Sequence, residues 1–166
     1  MNRRSWLLLL LFFIVISIVA IVVHEAAHVI AALILGVPFN EIEIGFYGIS
    51  PSVNIPERFI NSNLTLYHWG GGITASILLL STYFLLWFRR YRRTPSPMNS
   101  MLGLITIVLA CFQLSQGYIE GRFHHAYITL AGSIDNPLNL IYLFAVIASI
   151  FIHFTLFPMS KIKEKG

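Results

Sequence analysis

The sequence predicts an all-α membrane protein of about four transmembrane helices, with a small β-strand segment between the first two. Three observations lead there. Of the 166 residues, 57% are apolar and only 11% charged, whereas a soluble domain carries charge on about 25% of its positions. The mean hydropathy is +0.76. Four apolar runs approach or exceed the roughly 20 helical residues that cross a hydrocarbon core, and the charged residues cluster between them.

The first run covers residues 6–35. Its start, Met1-Asn2-Arg3-Arg4 before a leucine tract, has the look of a secretory leader, but a leader's apolar region holds about 7–15 residues. It is therefore read as a span. The second, third and fourth spans are expected at 71–88, 101–118 and 137–158. Together residues 1–160 form a single membrane-embedded domain, with 161–166 as a cytoplasmic tail. An integral, multi-pass protein of the cell membrane is expected.

The basic residues set an orientation. Arg3 and Arg4 precede span one, Arg89, Arg90, Arg92 and Arg93 follow span two, and Lys161, Lys163 and Lys165 follow span four. Only Arg58 and Arg122 fall on the other side, so the positive-inside bias puts both termini in the cytoplasm. The net charge of +4 thus reports topology. No basic face remains for a phosphate backbone, so nucleic acid is not an expected partner. A lone cysteine, Cys111, excludes a disulfide framework and a cysteine-based zinc ribbon.

Residues 39–68 form the strand segment. Glu41, Glu43 and Gly45 alternate with Ile42, Ile44 and Phe46, the period of a strand. Gly48, Pro51 and Pro56 are expected to break it, and Leu64 to His68 offers a second alternating run. Asn63-Leu64-Thr65 matches a glycosylation sequon, a pattern short enough to arise by chance. Trp69-Gly70-Gly71-Gly72 lacks the context of a dinucleotide site and is read as a flexible lead into span two that lets helices pack closely.

Within span one stands His24-Glu25-Ala26-Ala27-His28. On a helix, positions i and i+4 share a face, so both imidazoles can meet one metal ion with Glu25 beside them. Zinc with three protein ligands lowers the pKa of a fourth-position water to about 7, and a neighbouring carboxylate can take its proton. Three ionisable groups in an otherwise uncharged run are costly in a membrane, at least ~2.5 kcal/mol for one charge at mid-bilayer. A cation is the natural compensation.

From His28 the chain continues through Val29 to Leu35, Gly36-Val37, Pro38-Phe39-Asn40, then Glu41-Ile42-Glu43-Ile44-Gly45-Phe46. The stretch from His24 to Phe46 resembles the site-2 protease family of intramembrane zinc metalloproteases. There the motif helix ends in Gly-Val and leads to a strand closing in Ile-Gly-Phe. The resemblance implies Zn2+ as cofactor, Glu25 as the catalytic base, and a transmembrane protein substrate within the lipid bilayer. It also implies that the strand segment pairs with unwound substrate, a form of β-augmentation.

The resemblance also implies a third ligand, an aspartate before glycine in the third core helix. The best counterpart here is Glu120-Gly121, with Gln113 at the family's asparagine. The prolines of the family's second and third core helices are missing, and glutamate replaces aspartate. Glutamate completes His-Glu-x-x-His zinc in other hydrolases. The expected metal set is therefore His24, His28 and Glu120. Asp135, whose competing role is a helix cap before Pro137, and the adjacent His124 and His125 are rivals for the third position. Gln113 and Gln116 suit either substrate or helix–helix hydrogen bonds, while His68 and His153 are expected to be structural.

The expected function is hydrolysis of peptide bonds in or near transmembrane segments. The alternative is a proteolytically inactive relative that binds or regulates transmembrane partners. The family usually runs its motif helix from outside towards the cytoplasm, whereas the arginine bias here reverses that direction. No residue pattern specifies an oligomer.

Overall fold

The computed structural model describes residues 3–47, 50–59, 65–130 and 137–158. Four helical segments are long and apolar enough to cross a membrane, and a two-stranded antiparallel sheet lies between the first two. Helix α1, Arg3–Ile34, runs for 32 residues. At 1.5 Å per residue it is about 48 Å long, well beyond the ~30 Å of a hydrocarbon core. Its buried residues, Leu9, Ile16, Ala20, His24, Ala27, His28 and Ala31 among them, follow a stripe at three- and four-residue spacing. The rest of its surface is leucine, isoleucine, valine and phenylalanine open to the surroundings.

Gly36 stops α1. Its φ is +85°, a conformation that a side chain disfavours. Its N–H bonds Leu33 O and the Val37 N–H bonds Ala32 O, both at 3.0 Å, the two bonds of a Schellman cap. Ala32 and Val37 also share a buried cluster with Ala31, Val53 and Tyr67. The cap thereby turns the chain directly into the sheet.

Strand β1, Glu43–Tyr47, pairs with β2, Ser50–Asn54, in a register set by Ile44 opposite Val53 and Phe46 opposite Pro51. The first strand overlaps the alternating run Glu41–Phe46 but starts at Glu43, because Phe39–Glu41 forms a 3₁₀ turn. The second departs from expectation, because Pro51 sits inside β2 and Thr65–His68 of the later alternating run is helical. In a two-stranded sheet each strand has an open edge, where the missing proline N–H need not break the ladder. From Thr65 onward the chain is helical. Val53 is buried and the Tyr67 hydroxyl donates to its carbonyl, fastening β2 to the second helix. Arg58 and Glu41 join the short 3₁₀ turns on either side of the sheet by an ion pair.

Helix α2, Thr65–Thr82, continues through a π-helical stretch, Tyr83–Phe88, into α3, Arg89–Arg93. The second span thus starts before Gly71, and Gly70, Gly71 and Gly72 lie inside a helix instead of in a flexible lead. Glycine costs about 0.8–1.0 kcal/mol relative to alanine at such positions. Packing explains their presence. A Cβ on Gly72 would come within 2.4 Å of Gln113 O and Gly117 N on the facing helix, so two backbones meet here.

That facing helix is α4, Pro97–Leu130, which departs from helical geometry at Phe123. Helix α2 packs against both α1 and α4, and α5, Asn139–Leu156, packs on α4. Ile16 and Ala20 of α1, Leu79 of α2 and Ala110 of α4 form one buried cluster where three helices meet. Near the arginines, His153 is fully buried. It hydrogen-bonds Ser100 Oγ through Nε2 at 3.1 Å and the Tyr83 hydroxyl through Nδ1 at 3.4 Å, and it stacks on Phe157. Its role is to join helices, as expected. His68 is half-buried on α2 with its ring against Tyr67.

Candidate metal centre

His24 and His28 point from α1 into the seam between α2 and α4, where both are buried. Each Nδ1 is already engaged. That of His28 lies 2.8 Å from the Tyr67 carbonyl, and that of His24 lies 2.8 Å from Gln113 Oε1. A carbonyl oxygen can only accept, so each Nδ1 carries the proton and each Nε2 presents a lone pair. The two Nε2 atoms are 3.1 Å apart.

Glu120 closes the triangle from α4. Its Oε2 lies 3.2 Å from His24 Nε2 and 3.6 Å from His28 Nε2. Its Oε1 accepts from Gln116 Nε2 at 2.9 Å, one turn earlier on the same helix. Glu120 Oε2 is a buried atom with no hydrogen-bond donor among the described residues. Two imidazole lone pairs and a carboxylate oxygen therefore converge on one point, an arrangement whose mutual repulsion a cation would offset.

A cation fits that arrangement. Ligand atoms at about 2.0–2.1 Å from a tetrahedral zinc stand roughly 3.3 Å from one another, and the three separations of 3.1, 3.2 and 3.6 Å bracket that value. The supporting bonds are also those that metal-binding histidines and carboxylates characteristically make. Among the described residues, His24, His28 and Glu120 form the one group of three side chains so placed. No family model, curated protein or solved structure matches the chain.

Glycines make room for the centre. A Cβ on Gly71 would lie 2.4 Å from His28 Nε2 and 2.6 Å from His24 Nε2, so the bare α-carbon of α2 faces the two ligating nitrogens. A Cβ on Gly121 would lie 2.0 Å from Trp69 Nε1, which explains why glycine follows Glu120. There the indole of Trp69 packs against the helix and edges onto the Tyr118 ring at 5.6 Å between centroids.

Glu25 is half-buried and interacts electrostatically with His24, His28 and Glu120. One residue after His24 and three before His28, it flanks the imidazole pair. Of the rivals for the third position, Asp135 lies outside the described residues, as do the side chains of His124 and His125. Gln113 and Gln116 bond within the bundle, to His24 and Glu120 respectively. Sequence reasoning missed the carbonyl of Tyr67 and the role of Gly71. The first carries no residue-type signal, and the second was hidden in a glycine run that resembles a linker.

Proposed function

We propose that this chain is a multi-pass intramembrane zinc metallopeptidase resembling the site-2 protease family, cleaving peptide bonds in or near transmembrane segments. The convergence of His24 Nε2, His28 Nε2 and Glu120 Oε2 in a buried seam, each ligand braced by a second hydrogen bond, is the observation that supports it. His24, His28 and Glu120 would hold the ion, which supplies Lewis acidity to a water and a scissile carbonyl. Glu25 would accept the proton of the attacking water and return it to the leaving amine. Tyr67 and Gln113 keep the two imidazoles in the ligating tautomer.

The centre lies far from the arginine clusters. At 1.5 Å per residue it is roughly 30–35 Å from Arg3 along α1, from Arg93 along the second span and from Pro97 along α4. That distance is about the full thickness of a hydrocarbon core. With the arginines in the cytoplasm, the site would lie near the outer interface, beside the β-hairpin. A substrate helix would be cut near its external end, where it is easiest to unwind.

The test is the zinc-to-protein ratio of the detergent-purified protein beside Glu120→Ala and His28→Ala, followed by cleavage of a reporter transmembrane segment in liposomes. A ratio near one in wild type that falls sharply in both variants, with cleavage lost in Glu25→Gln, supports the peptidase. A wild type without zinc overturns it. Stoichiometric zinc with no cleavage of any segment leaves the proteolytically inactive binder as the better reading. Zinc kept by Glu120→Ala but lost by His28→Ala moves the third ligand to Asp135.

A further inference from the structure

The end of the molecule opposite the metal centre carries a second arrangement of polar and apolar groups. Arg89, Arg90 and Arg93 line a surface groove together with Trp87 and Thr94. Among the described residues no carboxylate lies within 4 Å of any of these arginines. Arg92 is turned away, its guanidinium 5.7 Å from the centre of the Phe88 ring. The indole N–H of Trp87 is buried with no acceptor among the described residues, while its ring edges onto Phe12 of α1 at 5.4 Å.

Immediately along the same helical segment lies an apolar groove lined by Ile77, Leu80, Phe84 and Leu85. Leu85 belongs to both grooves, so they join end to end. From Ile77 to Arg93 the helix rises roughly 24 Å, close to the ~20–22 Å of one leaflet with its headgroups. A shallow apolar helix face of leaflet length, ending in three guanidiniums that have no carboxylate partner among the described residues, has the charge and shape of one kind of occupant.

We propose that this surface is a binding site for a single anionic glycerophospholipid. Its phosphodiester sits between Arg89, Arg90 and Arg93, and an acyl chain lies along Leu85, Phe84, Leu80 and Ile77. Guanidinium forks match phosphate oxygens in geometry as well as charge, and basic clusters flanking a span attract anionic headgroups. The site requires these helices to cross a bilayer but not that the metal centre be proteolytic.

The test uses delipidated full-length protein in detergent micelles doped with phosphatidylglycerol or phosphatidylcholine, with retained lipid counted by native mass spectrometry. Wild type should keep one phosphatidylglycerol at a lipid concentration about tenfold lower than it needs for phosphatidylcholine. Arg89→Gln/Arg90→Gln/Arg93→Gln should erase that preference, whereas Arg3→Gln/Arg4→Gln, which alters another basic cluster of the same end, should retain it. Leu80→Trp, filling the apolar groove, should weaken retention while leaving the zinc content of the protein unchanged. Equal affinity for the two lipids would overturn the proposal. So would a preference that survives the triple substitution or is lost equally with Arg3 and Arg4. Displacement of the lipid by millimolar inorganic phosphate would show a phosphate site with no role for the acyl chain, and would likewise overturn it.

Discussion

Gly71 and His28 stand so close that a Cβ on the glycine would lie 2.4 Å from the histidine Nε2. The helix of the second span thus approaches the imidazoles with its bare backbone, and the ligand face of α1 is shaped by a residue that has no side chain. Gly71→Ala should push His24 and His28 off their shared point. Overpacking of this kind costs about 1–3 kcal/mol, so the variant should fold with a reduced melting temperature and a zinc affinity at least about tenfold weaker. Retention of full zinc affinity would show that the imidazoles are not confined by α2.

Gln113 holds His24 through a single acceptor 2.8 Å from Nδ1. Loss of such a supporting bond typically lowers metal affinity 10–100-fold. Gln113→Leu should show a loss in that range in competition with a calibrated chelator, with unchanged helical content by circular dichroism. Gln113→Glu, which keeps an acceptor at the same place, should recover most of it.

Glu25 flanks the centre without belonging to the converging triangle. Glu25→Gln should therefore bind zinc with wild-type stoichiometry yet lose cleavage by about 10²–10⁴-fold, the usual contribution of a positioned base. A variant that lost zinc and cleavage together would make Glu25 a ligand instead of a base.

Tyr67 has two separate duties. Its carbonyl accepts from His28, and its hydroxyl donates to Val53 in β2. Tyr67→Phe removes only the second. It should cost about 0.5–1.5 kcal/mol, seen as faster hydrogen exchange confined to the hairpin amides, with zinc binding intact. If zinc affinity fell as well, the hairpin would be shown to brace the imidazole through the tyrosine backbone.

If the site holds an ion as proposed, metal removal should reveal the repulsion among the three ligands. Chelation should destabilise the junction of α1, α2 and α4 around the site, lowering the melting temperature and exposing His24 and His28 to histidine-directed alkylation. Restoring zinc should reverse both effects, and a melting temperature indifferent to chelator would remove the metal from the account of stability.

By itself the sequence determined the number of apolar helices, a strand within the alternating run Glu41–Phe46 and the pairing of His24 with His28 on one helical face. Each of these is a periodicity within one short stretch: apolar run length, alternation by two, and a spacing of four. Glu120 was legible only through its likeness to a family's third helix, because nothing local ties it to histidines far away in the chain.

Tertiary structure decided the rest. It placed the second strand at Ser50–Asn54, since pairing with β1 and burial of Val53 outweigh the weak strand signal of Leu64–His68 and the presence of Pro51. It made Gly70 to Gly72 helical, because contact with His24, His28, Gln113 and Gly117 rewards the absence of side chains that propensity alone penalises. It brought Glu120 Oε2 to the two Nε2 atoms and set Gln113 and Tyr67 behind them. A convergence of three helices cannot be written in the period of any one of them.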